Sequence, residues 1–188
     1  MKGFLFIKQM SKVLYGKDAN LNFVLDFKAK KRWVSEVESF RREIEQYSGK
    51  YELDLSQYER GVLTVRVKEF VDGPLSKSLK ALGKDVPLVM NIEISVSYPL
   101  SPPFVWVESP ALYSKPSNLS FGIFNGVPCL KDLNEMGWSP IMNVGSVFVS
   151  VLNALAENTE TTDSCSHVNR SSALSGKEYI LKAHPDWK

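Results

Sequence analysis

The strongest constraint on this chain is a switch of hydrophobic period between residues 47 and 51. Trp33, Val37, Phe40, Ile44 and Tyr47 are spaced by steps of four, three, four and three, which places them on one face of an amphipathic helix. Glu36, Glu38, Arg41, Arg42, Glu43 and Glu45 fill the other side, and Gly49 is a natural stop. From Tyr51 the period becomes two. Tyr51 to Leu55, Val62 to Lys68 and Ile92 to Ser97 each alternate apolar with polar residues, as antiparallel strands with one solvated face do.

A fourth strand, Phe104-Val105-Trp106-Val107, is almost wholly apolar and therefore buried. It is entered through Tyr98-Pro99-Leu100-Ser101-Pro102-Pro103, whose prolines cannot donate to a ladder and must turn outside the sheet. The segment from Asp72 to Pro87, with Gly73-Pro74 and Gly83, reads as a surface loop. From Ser109 to Pro140 no period is sustained, and an irregular stretch of that length inside a domain is often functional. Val144, Val147, Phe148, Val151, Leu152 and Leu155 form a second amphipathic helix. A polar stretch, Glu157 to Ser172, leads to a last helical segment around Ala173 to Ala183. The order predicts an α+β fold, with a four-stranded antiparallel meander packed against helices. Residues 1–27 mix apolar and basic residues and are compatible with a short strand, a docking arm or a mobile tail.

Composition removes several function classes. The chain has 188 residues and a net charge of +2, too balanced for a nucleic-acid or membrane-surface binder. The apolar run Phe4-Leu5-Phe6-Ile7 is short of the roughly 7–15 residues a signal peptide needs, so export is not expected. Two cysteines, Cys129 and Cys165, make neither a disulfide framework nor a four-ligand zinc site, and no metal is expected. A Gly-rich phosphate loop is also missing.

Cys129, in Asn125-Gly126-Val127-Pro128-Cys129-Leu130, is the first candidate for chemistry, held near the surface by a turn. The alternative is a small buried hydrophobe, the usual fate of a free cysteine. Cys165 lies in a polar loop and reads as an incidental thiol. A cysteine hydrolase would need His167 or His184 folded back onto Cys129 to take its proton. Lys28, Lys30, Lys31 and Arg32 form a basic start to the first helix, a placement the helix dipole disfavours and an interaction role would explain.

Three motifs in order resemble those of the ubiquitin-conjugating enzymes. Tyr98-Pro99-Leu100-Ser101-Pro102-Pro103 is similar to the family's entry to the fourth strand. Gly126-Val127-Pro128-Cys129-Leu130 is similar to its active-site turn, and Trp138-Ser139-Pro140 to the segment leading into the next helix. The resemblance covers roughly residues 30–156 and divides the chain into an N-terminal extension, 1–27, and a conjugating (UBC) domain, 28–188. One element departs: the family's His-Pro-Asn, eight to ten residues before the cysteine, is replaced here by Lys115-Pro116-Ser117-Asn118-Leu119-Ser120-Phe121. In that respect the chain resembles the Q-type branch, which lacks the motif.

The resemblance implies that Cys129 accepts ubiquitin, or a related modifier, as a thioester from an activating enzyme. It then passes the acyl group to a lysine or another nucleophile on a protein substrate, with or without a ligase. It implies Asn118 or Asn125 as replacements for the missing oxyanion donor and Asp163 as an acidic gate for the incoming amine. It further implies Lys28, Lys30, Lys31 and Arg32 as the activating-enzyme surface, and Leu100, Pro140 and Ile141 as the ligase surface. Ordinary core packing is the other reading of Leu100 and Ile141. No cofactor, nucleic acid or membrane is expected, and the cytoplasm or nucleus is the expected location. An inactive UBC-like variant that only binds ubiquitin or a ligase is the alternative, favoured by the missing asparagine and opposed by Cys129.

Overall fold

The computed structural model describes residues 27–47, 49–70, 72–82, 86–115, 121–162 and 166–187. Helix α1, Phe27–Gln46, is the amphipathic segment read from the sequence. Trp33, Val37, Phe40 and Ile44 are buried, whereas Tyr47 is just past the helix and 57% exposed. Four strands follow as an antiparallel meander in the order β1 (Tyr51–Asp54), β2 (Val62–Val67), β3 (Leu88–Glu93) and β4 (Phe104–Ser109). The predicted α+β architecture is the observed one.

Two boundaries differ from expectation. The third strand begins four residues earlier than the alternation from Ile92 suggested, because Val67 pairs with Leu88 and Val62 with Glu93. Past Ile94 the alternation runs into a turn in which Ser97 caps the Leu100 and Ser101 amides, and Val96 points to solvent. The expected loop at Asp72–Pro87 contains helix α2, Pro74–Ala81. Pro74 sits in its first turn, where a missing N–H costs nothing, and Leu75 and Leu79 are buried one turn apart.

The β4 strand is buried on both faces, and this decides where the site forms. Val105 and Val107 point inward with Leu63, Val65, Val67, Leu88, Met90 and Ile92. Against that face pack α1 and α3, the latter spanning Val144–Asn158 and started by a capping box between Asn143 and Ser146. Phe104 and Trp106 point the other way, where Ala173 and Ile180 of α4, Arg170–Ala183, cover them in a second, smaller core. Short strands complete the chain: β5 (Tyr113–Ser114) pairs with β8 (Thr159–Glu160), and β6 (Ile123–Phe124) pairs with β7 (Val127–Pro128).

Helix α1 is bolted to the start of α3 through Glu36. One carboxylate oxygen of Glu36 accepts from the Tyr98 hydroxyl at 2.5 Å and from the Val144 amide at 3.1 Å. The other accepts from Arg32 Nε, whose guanidinium also donates to the Met142 carbonyl at 2.7 Å. A carboxylate at a helix N-terminus is favourably placed against the dipole. No helix of the described residues is long and apolar enough to cross a membrane.

Candidate active site

The site is built on the β6–β7 hairpin. Its two turn residues are Asn125 and Gly126, with φ of 48° and 76°. Positive φ at both central positions makes the two-residue turn whose twist matches a hairpin, and Asn-Gly is its preferred sequence. Gly126 is required twice over, since a Cβ there would lie 2.3 Å from the Val107 carbonyl oxygen. That close approach lets the Val107 amide donate to the Gly126 carbonyl at 2.8 Å, fixing the hairpin to β4. The chain then emerges from Pro128, and the Cys129 amide donates to the Gly122 carbonyl at 2.8 Å. Beyond Cys129 the Asn134 side chain, buried, donates to the Leu130 carbonyl at 2.7 Å and holds the following turn.

The other half of the site is the end of α4. Asn169 caps the helix by accepting from the Ser172 amide, and Arg170 clamps it to β3 through two 2.7 Å bonds to Glu93. Gly176 lies flat on the hairpin, because a Cβ there would sit 2.1 Å from the Phe124 carbonyl oxygen. One turn on, Tyr179 packs its ring on Phe124 with centroids 4.6 Å apart. His184 ends the helix, its amide donating to the Ile180 carbonyl at 2.9 Å. Its ring stacks on Trp187 at 4.1 Å, nearly parallel.

These two halves meet at the sulfur. Cys129 Sγ lies 3.7 Å from His184 Nε2, within hydrogen-bond reach for sulfur. Cys129 is a free thiol, half-buried against the second core, and burial pushes its pKa up from the ordinary value. A thiol beside an imidazole, on a stiff hairpin, is equipped for acyl transfer: one atom attacks and the other takes the proton. Among the described residues no group of three His, Cys, Asp or Glu side chains is arranged to hold a metal.

The remaining predicted residues are dispersed. Asn118 and Asp163 lie outside the described residues, as does Cys165. Asn125 is exposed at the hairpin tip, the end opposite Cys129. His167 is exposed in the segment before α4. Lys28, Lys30, Lys31 and Arg32 occupy the first turns of α1, where Arg32 is committed to Glu36 and Met142. Leu100 and Ile141 are 74% and 88% exposed, so neither is core. Their loops are joined by the Trp138 indole, which donates to the Pro99 carbonyl at 2.8 Å, and Pro140 is exposed beside them. Among residues not singled out from the sequence, Gly176, Asn134 and Trp187 shape the site. The spacing of Ala173, Gly176, Ile180 and His184, in steps of three, four and four, is the signal that places them on one helix face.

No protein-family model matches the chain, and no curated protein does. Solved structures do. The chain is similar to a ubiquitin conjugating enzyme E2 from Plasmodium falciparum, with a TM-score of 0.50 and 18% identity over 75% of this chain and 92% of that one. The fold is that of the ubiquitin-conjugating enzymes. A Toxoplasma gondii ubiquitin conjugating enzyme E2 domain aligns at a TM-score of 0.49 and 15% identity, covering 84% of this chain and 95% of that one. In the conjugating-enzyme fold as this chain builds it, α4 crosses the outer face of β4 and delivers His184 to Cys129.

Proposed function

We propose that the protein is a ubiquitin-conjugating transferase in which Cys129 carries the modifier as a thioester. The observation that carries the reading is the 3.7 Å approach of His184 Nε2 to the Cys129 sulfur. A half-buried thiol whose pKa is raised is a poor nucleophile at neutral pH because the thiolate is the reacting form. A neighbouring imidazole removes that handicap by accepting the proton as the sulfur attacks.

In the first transfer, the Cys129 sulfur attacks the C-terminal glycyl carbonyl of ubiquitin held as a thioester on the activating enzyme. The S–H proton passes to His184 Nε2. A new C–S bond forms, and the activating enzyme's sulfur leaves as the thiolate. In the second transfer, an amine or hydroxyl of a protein substrate attacks the same carbonyl. The tetrahedral intermediate collapses with loss of the Cys129 sulfur, which regains the proton His184 took in the first transfer, and the attacking group sheds its own proton to solvent. The absence of His-Pro-Asn aligns the chain with the Q-type branch, and His184, delivered from the C-terminal helix, takes part of the work from the loop before the cysteine. The exposed Leu100, Pro140 and Ile141 supply a ligase-facing patch, and Lys28, Lys30 and Lys31 the basic surface for the activating enzyme.

A thiol–imidazole pair is also the equipment of a cysteine hydrolase, so the test separates the two. The protein is incubated with activating enzyme, ubiquitin and ATP, and in parallel with a linear ubiquitin fusion. An ATP-dependent adduct that dithiothreitol removes supports the transferase. Cys129-dependent cleavage of the fusion, without such an adduct, supports the hydrolase and overturns this reading. Neither product would leave a binding module.

A further inference from the structure

On the side of the molecule built by α1, β1 and α3, an open cavity of about 300 Å³ takes no part in the chemistry above. Its floor is Phe40 and Ile44 of α1, Tyr51 of β1, and Phe148 and Leu152 of α3. The exposed ring of Tyr47 and the side chain of Phe70 stand at its edge. Apolar and aromatic walls on this scale suit a bulky hydrophobic side chain or two. Among the described residues, the charged groups lining the cavity are Glu43 and Glu69, both carboxylates. Glu69 shares a solvent-exposed pair with Lys50, while Glu43 has no cationic partner among the described residues. The cavity therefore selects an occupant that is aromatic or aliphatic in the middle and basic at its flanks.

The chain carries such a segment. Residues 2–8 read Lys2-Gly3-Phe4-Leu5-Phe6-Ile7-Lys8, a run of four large apolar residues bracketed by lysines. Residues 1–26, which lie outside the described part, hold four lysines against two aspartates. The reach is ample. From Phe27 to Ile44 along α1 is about 26 Å at 1.5 Å per residue. Residues 9–26 can span about 60 Å when extended, more than twice what is needed. Tethering by such a linker supplies an effective concentration in the millimolar range, so weak contacts suffice to fill the cavity.

We propose that the cavity is the seat of the chain's own N-terminal segment, with Phe4 and Phe6 on the aromatic floor, Lys8 against Glu43 and Lys2 toward Glu69. This assignment stands apart from the conjugating activity. The purified chain of residues 1–188 carrying the photo-crosslinker p-benzoylphenylalanine at position 6 (Phe6→Bpa) tests it. After irradiation, the monomer band should contain a crosslink from residue 6 to peptides bearing Tyr47, Phe70 or Leu152. The Lys8→Glu variant should cut the yield of that crosslink about threefold, the scale of an exposed ion pair. Adding Glu43→Lys to Lys8→Glu should restore it. Crosslinks confined to other parts of the chain, or found only between two chains, overturn the proposal. So does a yield unmoved by Lys8→Glu, which would mean contact without the charge match.

Discussion

Cys129 Sγ and His184 Nε2 approach to 3.7 Å although 55 residues separate them in the chain. Two supports set that distance. The hairpin is pinned to β4 through Gly126 and Val107, and α4 is pinned to the hairpin through Gly176 and Phe124. Both supports rest on β4, whose outward Phe104 and Trp106 form the floor under α4. The pair is thus a product of the second core.

If His184 takes the Cys129 proton, its effect depends on pH in a defined direction. Burial raises the thiol, so near neutral pH little thiolate exists without help. The His184→Gln variant should load ubiquitin at least about tenfold more slowly at pH 7. The deficit should shrink as the pH climbs toward the range in which the burial-raised thiol ionises unaided. Initial loading rates across pH 6.5–9.5 check this, and a deficit constant with pH would assign His184 a packing role only.

The same raised thiol links to stability. A folded state that holds its proton more tightly than the unfolded chain is favoured below the ordinary cysteine pKa and loses that advantage as pH climbs through the folded value. Wild type should therefore lose more stability than Cys129→Ala between pH 8 and 10. Urea midpoints of the two proteins, measured side by side at each pH, read the difference.

Gly176 is where α4 meets the hairpin backbone, and a Cβ would lie 2.1 Å from a carbonyl oxygen that cannot move independently. Gly176→Ala should cost about 1–3 kcal/mol, the range for overpacking, and should slow ubiquitin loading by moving His184. Ser175→Ala, one residue away and exposed, is the control expected to change neither. Chemical denaturation and loading rates report both effects.

Trp187 stacks on the His184 ring with centroids 4.1 Å apart. Trp187→Ala should remove about 0.5–1.5 kcal/mol of ring-pair contact, beyond the area lost. Its loading defect should resemble that of His184→Gln in pH dependence but be smaller, while Trp187→Phe should recover most of the rate. Thermal melts and the same pH series supply the readouts.

Glu36 separates stability from chemistry. Its carboxylate collects Arg32, Tyr98 and the Val144 amide at the α1–α3 junction, away from Cys129. Glu36→Ala should cost about 3 kcal/mol or more, since hydrogen bonds to charged groups contribute about 1.5–3 kcal/mol each. Iodoacetamide should still modify Cys129 of the folded variant at the wild-type rate.

The residues explain which parts of this account were readable in advance. The α1 face and the β1–β2 alternation were legible because one-sided burial writes its period into the sequence. Helix α2 was not, because only Leu75 and Leu79 mark it and Gly73-Pro74 carries the signature of a turn. The early start of β3 was hidden since Leu88-Val89-Met90 is continuously apolar and gives no period. Cys129 stood out by its motif context, and His167 and His184 were both open as its neighbour, with nothing in the sequence to choose between them. His184 reaches the sulfur through tertiary packing across Phe104 and Trp106, and an apolar β4 announced burial on both faces without saying what would cover the second.

The most direct test of the central claim locates the ubiquitin bond. Wild type, Cys129→Ala and Cys165→Ala are each charged with activating enzyme, ubiquitin and ATP, then analysed by intact mass before and after dithiothreitol. The account predicts one ubiquitin added to wild type and to Cys165→Ala, lost on reduction, and none on Cys129→Ala. An adduct that persists in Cys129→Ala, or one that disappears in Cys165→Ala instead, would contradict it.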